Sequence, residues 1–236
     1  MKPSNVVIFE GQDCTGKTTM IDLVSGQLTE RGVDHIVLRE PGGTALGEHL
    51  RETLLTNREV LEDICPTASA LMFLTARAQL LEEKIQPALA RGQIVLMDRF
   101  DLSTVAYQSA EYGEAGYKHG LTDDAVVEKA IIEFGKKIKA LNDLVIGGLP
   151  RRYVLLTADP EVIAWRMENF REKDRFEERS AWFRNHVASV YEEFRKQNEG
   201  DKRVLHVHDE GKVFDIADRV TRIINFILQT RSTTAS

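Results

Sequence analysis

Two rhythms of apolar and polar residues run along this chain. Five short segments are apolar almost throughout: residues 5–10, 35–39, 93–98, 153–157 and 203–207. Runs of this length, rich in Val, Ile and Leu, predict strands buried on both faces. Between them apolar residues recur every three or four positions, the period of a helix. Met20, Leu23, Val24 and Leu28 make such a stripe in a helix from Lys17 to about Arg31. Val126, Ala130, Ile131 and Phe134 make another between Thr122 and Leu141. Trp182, Phe183, Val187, Val190 and Tyr191 also read as helix packing. The glycines and tyrosines from Ser109 to Gly120 predict a mobile loop. Strands alternating with helices predict an α/β fold, a five-stranded parallel sheet flanked by helices. Ligands on such sheets bind beyond the C-terminal strand ends.

With 236 residues and 42% hydrophobic content, the chain suits a single domain spanning 1–236, with one mobile subdomain. The net charge of −6 argues against a nucleic-acid-binding surface. An acidic chain that binds an anionic ligand must gather its arginines locally. The two cysteines, Cys14 and Cys65, suggest neither a disulfide framework nor a metal cluster. No apolar run reaches about 18 residues and no signal-peptide pattern opens the chain, so a cytoplasmic protein away from membranes is expected. The small polar residues from about 230 to 236 read as a flexible tail.

The most informative stretch follows the first strand. Gly11-Gln12-Asp13-Cys14-Thr15-Gly16-Lys17-Thr18 fits G-x-x-x-x-G-K-[ST], with a strand before it and a helical pattern after it. Backbone N–H groups at a helix N-terminus wrap a polyphosphate, and the helix dipole has the matching sign. Gly11 and Gly16 permit the tight turns, Lys17 supplies a mobile cation and Thr18 a hydroxyl for Mg²⁺. The loop from Gly11 through Thr19 is therefore the expected ATP site. Cys14 is not a glycine, so the backbone there is expected to avoid positive φ.

Other strand ends add charge. Arg39 and Glu40 close the second strand ahead of Pro41-Gly42-Gly43, beside the loop. Asp98 and Arg99 close the third. A carboxylate there is a usual second Mg²⁺ partner, and the arginine can clamp phosphate. Phe73 and Arg77 lie one helical turn apart and share a face; spacing alone favours an ordinary core Phe beside a surface Arg. Arg51 alone reads as a solvated charge. The charge run from Arg166 to Arg179 follows the fourth strand. None of Gln12, Asp13, Cys14 and Thr15 is basic. His206 and His208 share a strand face, but without a further ligand nearby they give little support to a metal site.

The glycine loop followed by Leu38-Arg39-Glu40-Pro41-Gly42-Gly43-Thr44, then the block from Leu71 to Gln108, resembles the thymidylate kinases of the P-loop nucleoside-monophosphate kinase superfamily. The likeness covers roughly residues 5 to 228. It implies transfer of the γ-phosphoryl group of ATP to dTMP, giving dTDP, with Mg²⁺ as cofactor. It implies that Phe73 stacks on the pyrimidine, that Arg77 bonds its carbonyl edge, and that Thr104 and Gln108 also contact the base. Arg39, Glu40, Arg51 and Arg99 would complete the acceptor site, with Asp13 meeting the sugar 3′-hydroxyl. Lys17, Asp98 and Arg99 would be catalytic. Residues 166–179 would form a lid, with Arg171 and Arg175 catalytic and Arg166 a further candidate. Thr18 and Asp98 would hold the metal. Homodimers are common in the family. The chain departs from the family where acids usually flank the fourth strand; here stand Arg151 and Thr157.

Other readings are a kinase for dUMP or another pyrimidine deoxynucleotide, a deoxynucleoside kinase, and a non-catalytic nucleotide-binding module. A nucleoside kinase needs a base for a neutral hydroxyl and usually carries Glu-Arg-Ser where this chain has Asp98-Arg99-Phe100. A silent module would tolerate loss of Lys17, Asp98 or Arg99, and all three are present.

Overall fold

A computed structural model describes residues 5–56, 64–169, 179–211 and 215–229. The five apolar runs form one parallel sheet: β1 Val6–Glu10, β2 His35–Arg39, β3 Ile94–Asp98, β4 Arg152–Ala158 and β5 Val204–Asp209, in the order β2-β3-β1-β4-β5. The central strand β1 is buried at all five residues. Its alternation divides the core. Val7 and Phe9 pack with Met20, Ile21, Val24 and Leu28 of helix α1 Lys17–Glu30, and with Ile223, Ile224 and Ile227 of the last described helix, Ile216–Leu228. Val6 and Ile8 face the other way, towards Leu80, Leu81, Ile85, Met97 and Phe100. Truncating a buried Phe9 would cost about 3–5 kcal/mol.

The helices on that second face bring the chemistry to the sheet edge. In chain order they are α2 Ala45–Leu55, α3 Pro66–Leu80, a π-helical turn Leu81–Ile85, α4 Gln86–Ala90, α5 Asp101–Lys118 and α6 Asp124–Ile146. After β4 come α7 Pro160–Asn169 and α8 Ala181–Gln197; α9 is Ile216–Leu228. The strand register sets Phe9 beside Asp98, and Arg39 beside Asp98 on the other flank. The ends of β1, β2 and β3 therefore meet at one place.

Several expectations need correction. Leu23 is 40% exposed, and Ile21 takes its place on the buried stripe. On α6 the buried stripe runs through Val127, Ile131, Phe134 and Ile138, while Val126 is exposed. The expected loop at Ser109–Gly120 is instead helix as far as Lys118. Gly113 lies within that helix because α6 and α8 come close there: a Cβ would fall 2.4 Å from the Trp182 ring and 2.6 Å from Ile131. Its glycine serves packing, whereas sequence alone suggested a mobile loop. Cys14 has φ 62, in the left-handed region that it was expected to avoid. The final residues, 230–236, lie outside the described residues.

Gly113→Ala should destabilise the protein by about 1–3 kcal/mol through overpacking. The urea unfolding midpoint should fall without a change of slope. An unchanged midpoint would show that Trp182 moves aside at no cost.

Candidate active site

The P-loop takes its shape from two glycines. Gly11 has φ 147, and a Cβ there would sit 2.1 Å from the Leu156 carbonyl oxygen of β4. Gly16, left-handed at φ 86, caps α1 without a side-chain hydrogen bond, and no acidic residue occupies the helix's first turn. The opening N–H groups are thus left for an anion. The Lys17 ammonium is folded back on the loop, donating to the carbonyl oxygens of Gly11 at 3.0 Å and Gln12 at 2.6 Å. Burial, with Arg99 nearby, lowers its pKa to about 8. Thr15 is buried in the loop, and Thr18 and Thr19 border the cavity above it.

Thr18 and Asp98 meet across this edge: the threonine hydroxyl donates to Asp98 Oδ2 at 3.4 Å. Two adjacent hard oxygen donors beside a phosphate loop fit a Mg²⁺ ion that draws its remaining ligands from water and phosphate.

Arg99, with φ 68, sends its guanidinium across the end of β1. Its Nη1 donates to Gly11 O and Ser103 Oγ, each at 3.0 Å, and to Tyr191 OH at 3.2 Å. Its Nη2 pairs with Asp13 Oδ1 and donates to Tyr107 OH at 3.2 Å. The Tyr107 hydroxyl in turn donates to Asp13 Oδ2 at 2.7 Å. Asp13 is therefore turned to an arginine, as an acid in a phosphate loop must be. Sequence reasoning passed over Tyr107 and Ser103, although both lie in the stretch it singled out. It also filed Tyr191 as packing alone.

Arg77 is buried at 1% exposure, and the surface arginine that spacing alone suggested is ruled out. Its Nε donates to Glu40 Oε2 at 2.8 Å, its Nη2 to the same oxygen and to Thr104 Oγ1 at 2.8 Å, and its Nη1 to Asn142 Oδ1. Burial pushes the Glu40 carboxyl up to about 7, against the pull of Arg77. Asn142, brought in by α6, carried no sequence signal beyond being a polar residue in an apolar stripe. Phe73 is partly buried against a separate apolar cluster that includes Ala106, Tyr107 and Phe183, and it lines the same cavity as Arg77 and Gln108. Two buried polar atoms here have no hydrogen-bond partner among the described residues: Glu40 Oε1 and Gln108 Nε2. Arg39 pairs with Glu48 at 3.0 Å, and Arg51 donates to Pro41 O at 2.9 Å.

One cavity of about 510 Å³ joins these parts, from Thr18 and Lys17 to Phe73 and Gln108. On its far side Arg166 donates to Cys14 O at 3.0 Å and to Asp209 Oδ2 at 2.7 Å; the same oxygen takes Arg219 at 2.7 Å. Arg166 thus belongs to a helix that braces the P-loop. Arg171 and Arg175 lie outside the described residues. The departures around β4 are accommodated locally. Arg151 pairs with Asp101 at 2.8 Å, and Thr157 Oγ1 lies 2.8 Å from both His206 Nε2 and His208 Nδ1.

The family profile described as Thymidylate kinase matches residues 9–124. The thymidylate kinase of Fervidobacterium nodosum is 34% identical over 216 residues, covering 89% of this chain and 98% of that protein. This chain belongs to the thymidylate kinase family. A thymidylate kinase of Caldanaerobacter subterraneus subsp. tengcongensis is 39% identical over 78% of each chain. The crystal structure of the Ehrlichia chaffeensis thymidylate kinase superimposes with a TM-score of 0.63 at 26% identity, covering 95% of this chain and 97% of that one. The five-stranded sheet, its flanking helices and the glycine loop are thus the P-loop kinase fold of that family.

Two outcomes test the loop. Cys14→Gly relieves a left-handed non-glycine residue and should raise the unfolding free energy by about 0.5–1 kcal/mol, measured in denaturant. A loss of stability would mean that the cysteine side chain holds the loop more than its backbone strains it. Bound phosphate should favour the Lys17 ammonium. Above pH 8, ATP binding should therefore take up as much as about one proton, and affinity should fall as pH rises. Calorimetry in two buffers of different ionisation heat reads this uptake. Its persistence in Lys17→Met would assign the proton to another group.

Proposed function

We propose that this chain transfers the γ-phosphoryl group of ATP to dTMP, releasing ADP and dTDP for dTTP synthesis. The observation that carries this reading is the continuity of the cavity. A phosphate loop opens at one end, and at the other a flat ring, Phe73, lies near a buried amide, Gln108 Nε2, that lacks a partner. A buried donor without an acceptor costs about 1–3 kcal/mol, which a pyrimidine carbonyl would recover. Arg77 supports the same edge from a fixed position, since Glu40, Thr104 and Asn142 hold three sides of its guanidinium.

The chemistry asks little of acids and bases. The attacking group is a phosphate oxygen, already anionic at neutral pH. What the protein must supply is alignment and neutralisation of charge. The loop from Gly11 to Thr19 binds the donor phosphates, and Lys17 turns from the loop carbonyls to their oxygens. Thr18 and Asp98 would hold Mg²⁺, which would supply charge neutralisation for the donor phosphates. Arg99, Arg51 and Arg39 gather the acceptor phosphate beside them. Asp13 and Tyr107 face the acceptor sugar. We assign a catalytic role to Arg171 and Arg175 as well, which lie outside the described residues.

No helix among the described residues is long and apolar enough to cross a membrane, and we place the activity in the cytoplasm. We also read the protein as a homodimer, as is common in its family. Leu71, Val126 and Leu144, 48%, 50% and 78% exposed, are apolar surface available to such a contact.

ADP release measured with ATP and Mg²⁺ across dTMP, dUMP, dCMP, dGMP and thymidine tests the assignment. We expect dTMP to be turned over best. Gln108→Leu should raise the KM for dTMP by roughly 10- to 100-fold, since it removes one buried hydrogen-bonding group. Turnover of thymidine without turnover of dTMP would make the protein a nucleoside kinase.

A further inference from the structure

Glu10 closes β1, yet it is not a strand-end charge in solvent: its exposure is 0%. It falls two residues beyond Ile8 and so on the same side of the sheet, where α5 begins. Its two oxygens accept four hydrogen bonds. Oε1 takes the backbone N–H groups of Phe100 at 2.9 Å and Ser103 at 3.1 Å. Oε2 takes the hydroxyls of Ser103 at 2.6 Å and Tyr191 at 3.0 Å. The first pair caps α5 from a distance, because Phe100 at the cap position provides no side-chain bond of its own. It also fixes the backbone directly after Arg99, whose left-handed φ needs such support.

The second pair decides where protons sit. Each hydroxyl has a single proton. The two oxygens lie 2.8 Å apart, and both also receive hydrogen bonds from Arg99 Nη1. A guanidinium offers donors only, so it needs hydroxyl lone pairs turned towards it. An ionised carboxylate accepts only, so it draws hydroxyl protons towards itself. Glu10 and Arg99 therefore stand at opposite ends of an ordered set of bonds that runs through Ser103 and Tyr191. The two hydroxyls come from different elements. Ser103 lies in the first turn of α5; Tyr191 belongs to α8, the helix that follows the arginine-bearing segment of the chain.

We propose that Glu10 is a positioning residue for Arg99: its buried carboxylate orients the Ser103 and Tyr191 hydroxyls as acceptors, and these hold the guanidinium at the cavity. The inference rests on the reading of Arg99 as a ligand of the acceptor phosphate. Glu10 touches no substrate and acts only through the arginine. Its isosteric amide would reverse the order. The NH₂ group of Glu10→Gln must donate to a hydroxyl, which then loses a lone pair or turns its proton towards Arg99.

A double-mutant cycle separates this role from a merely structural one. Glu10→Gln and Tyr191→Phe are made alone and in the Arg99→Lys background, with kcat, both KM values and the thermal midpoint measured for each. Alone, Glu10→Gln should lower kcat/KM for dTMP roughly 5- to 50-fold, the range of coupling between residues in one bonded set, and leave the KM for ATP unchanged. Tyr191→Phe should give a smaller loss of the same kind. In the Arg99→Lys background both further losses should shrink to less than about twofold. Equal losses in the two backgrounds would overturn the proposal and reduce Glu10 to a cap for α5. If Glu10→Gln does not fold, Tyr191→Phe carries the same cycle with the same two outcomes. Wild-type kinetics in Arg99→Lys alone would instead remove Arg99 from the reaction, overturning the assignment on which the inference rests.

Discussion

A guanidinium taken out of water must be surrounded by acceptors, and this fold does that repeatedly at one sheet edge. Arg77 is held by Glu40 inside the protein, and Arg99 by Asp13 in a partly buried pair at the cavity wall. Removing one partner from the buried Arg77–Glu40 pair costs about 3–5 kcal/mol, because the other charge stays buried. The surrounding architecture follows from the need to supply acceptors. β1 delivers Glu10 and the Gly11 carbonyl, α5 delivers Ser103, Thr104 and Tyr107, α6 delivers Asn142, and α8 delivers Tyr191. These elements converge because the sheet is parallel, so every strand ends at the same edge. The arginines thus arrive at the cavity already oriented, and little ordering remains to be done when an anion binds.

The sheet and the phosphate loop were legible in the sequence because their signals are local. An apolar run of five residues forms a buried strand wherever it is covered, and the glycine loop carries its spacing within eight residues. The α5 helix was misread beyond Ser109 for the opposite reason. The meaning of Gly113 depends on Trp182 and Ile131, which come from elsewhere in the chain. The same limit applied to the site. Asp98, Arg99 and Lys17 announce themselves at strand or loop ends. Glu10, Asn142 and Tyr191 do not, since each acquires its role from a partner far off in sequence. Glu10 did carry one usable cue: it continues the alternation of Val6 and Ile8 and so had to point into the protein.

Cys14 shows how a departure from an expected residue can leave the loop intact. A non-glycine residue at φ 62 carries strain of order 1–3 kcal/mol. Its carbonyl accepts from Arg166, and Arg166 is fixed in turn by Asp209, which also holds Arg219. The loop is therefore gripped from the β5 side by charge-assisted bonds. Those bonds run through α7 and the end of β5, so the loop's geometry does not depend on glycine at that position.

The carboxylates lining this cavity, and Glu10 behind it, share a feature that bears on mechanism. Glu10, Asp13, Glu40 and Asp209 each face an arginine or hydroxyls that lead to one. Asp98 differs: its bond to Thr18 is a long one of 3.4 Å. A kinase acting on a sugar hydroxyl must keep one acid free to take a proton. One whose acceptor is a phosphate oxygen can commit its acids to holding cations. With four acids committed to cations or hydroxyls and Asp98 placed beside Thr18 as a metal ligand, the set fits the second arrangement, in which protein carboxylates set the geometry of charge and the nucleophile arrives already ionised.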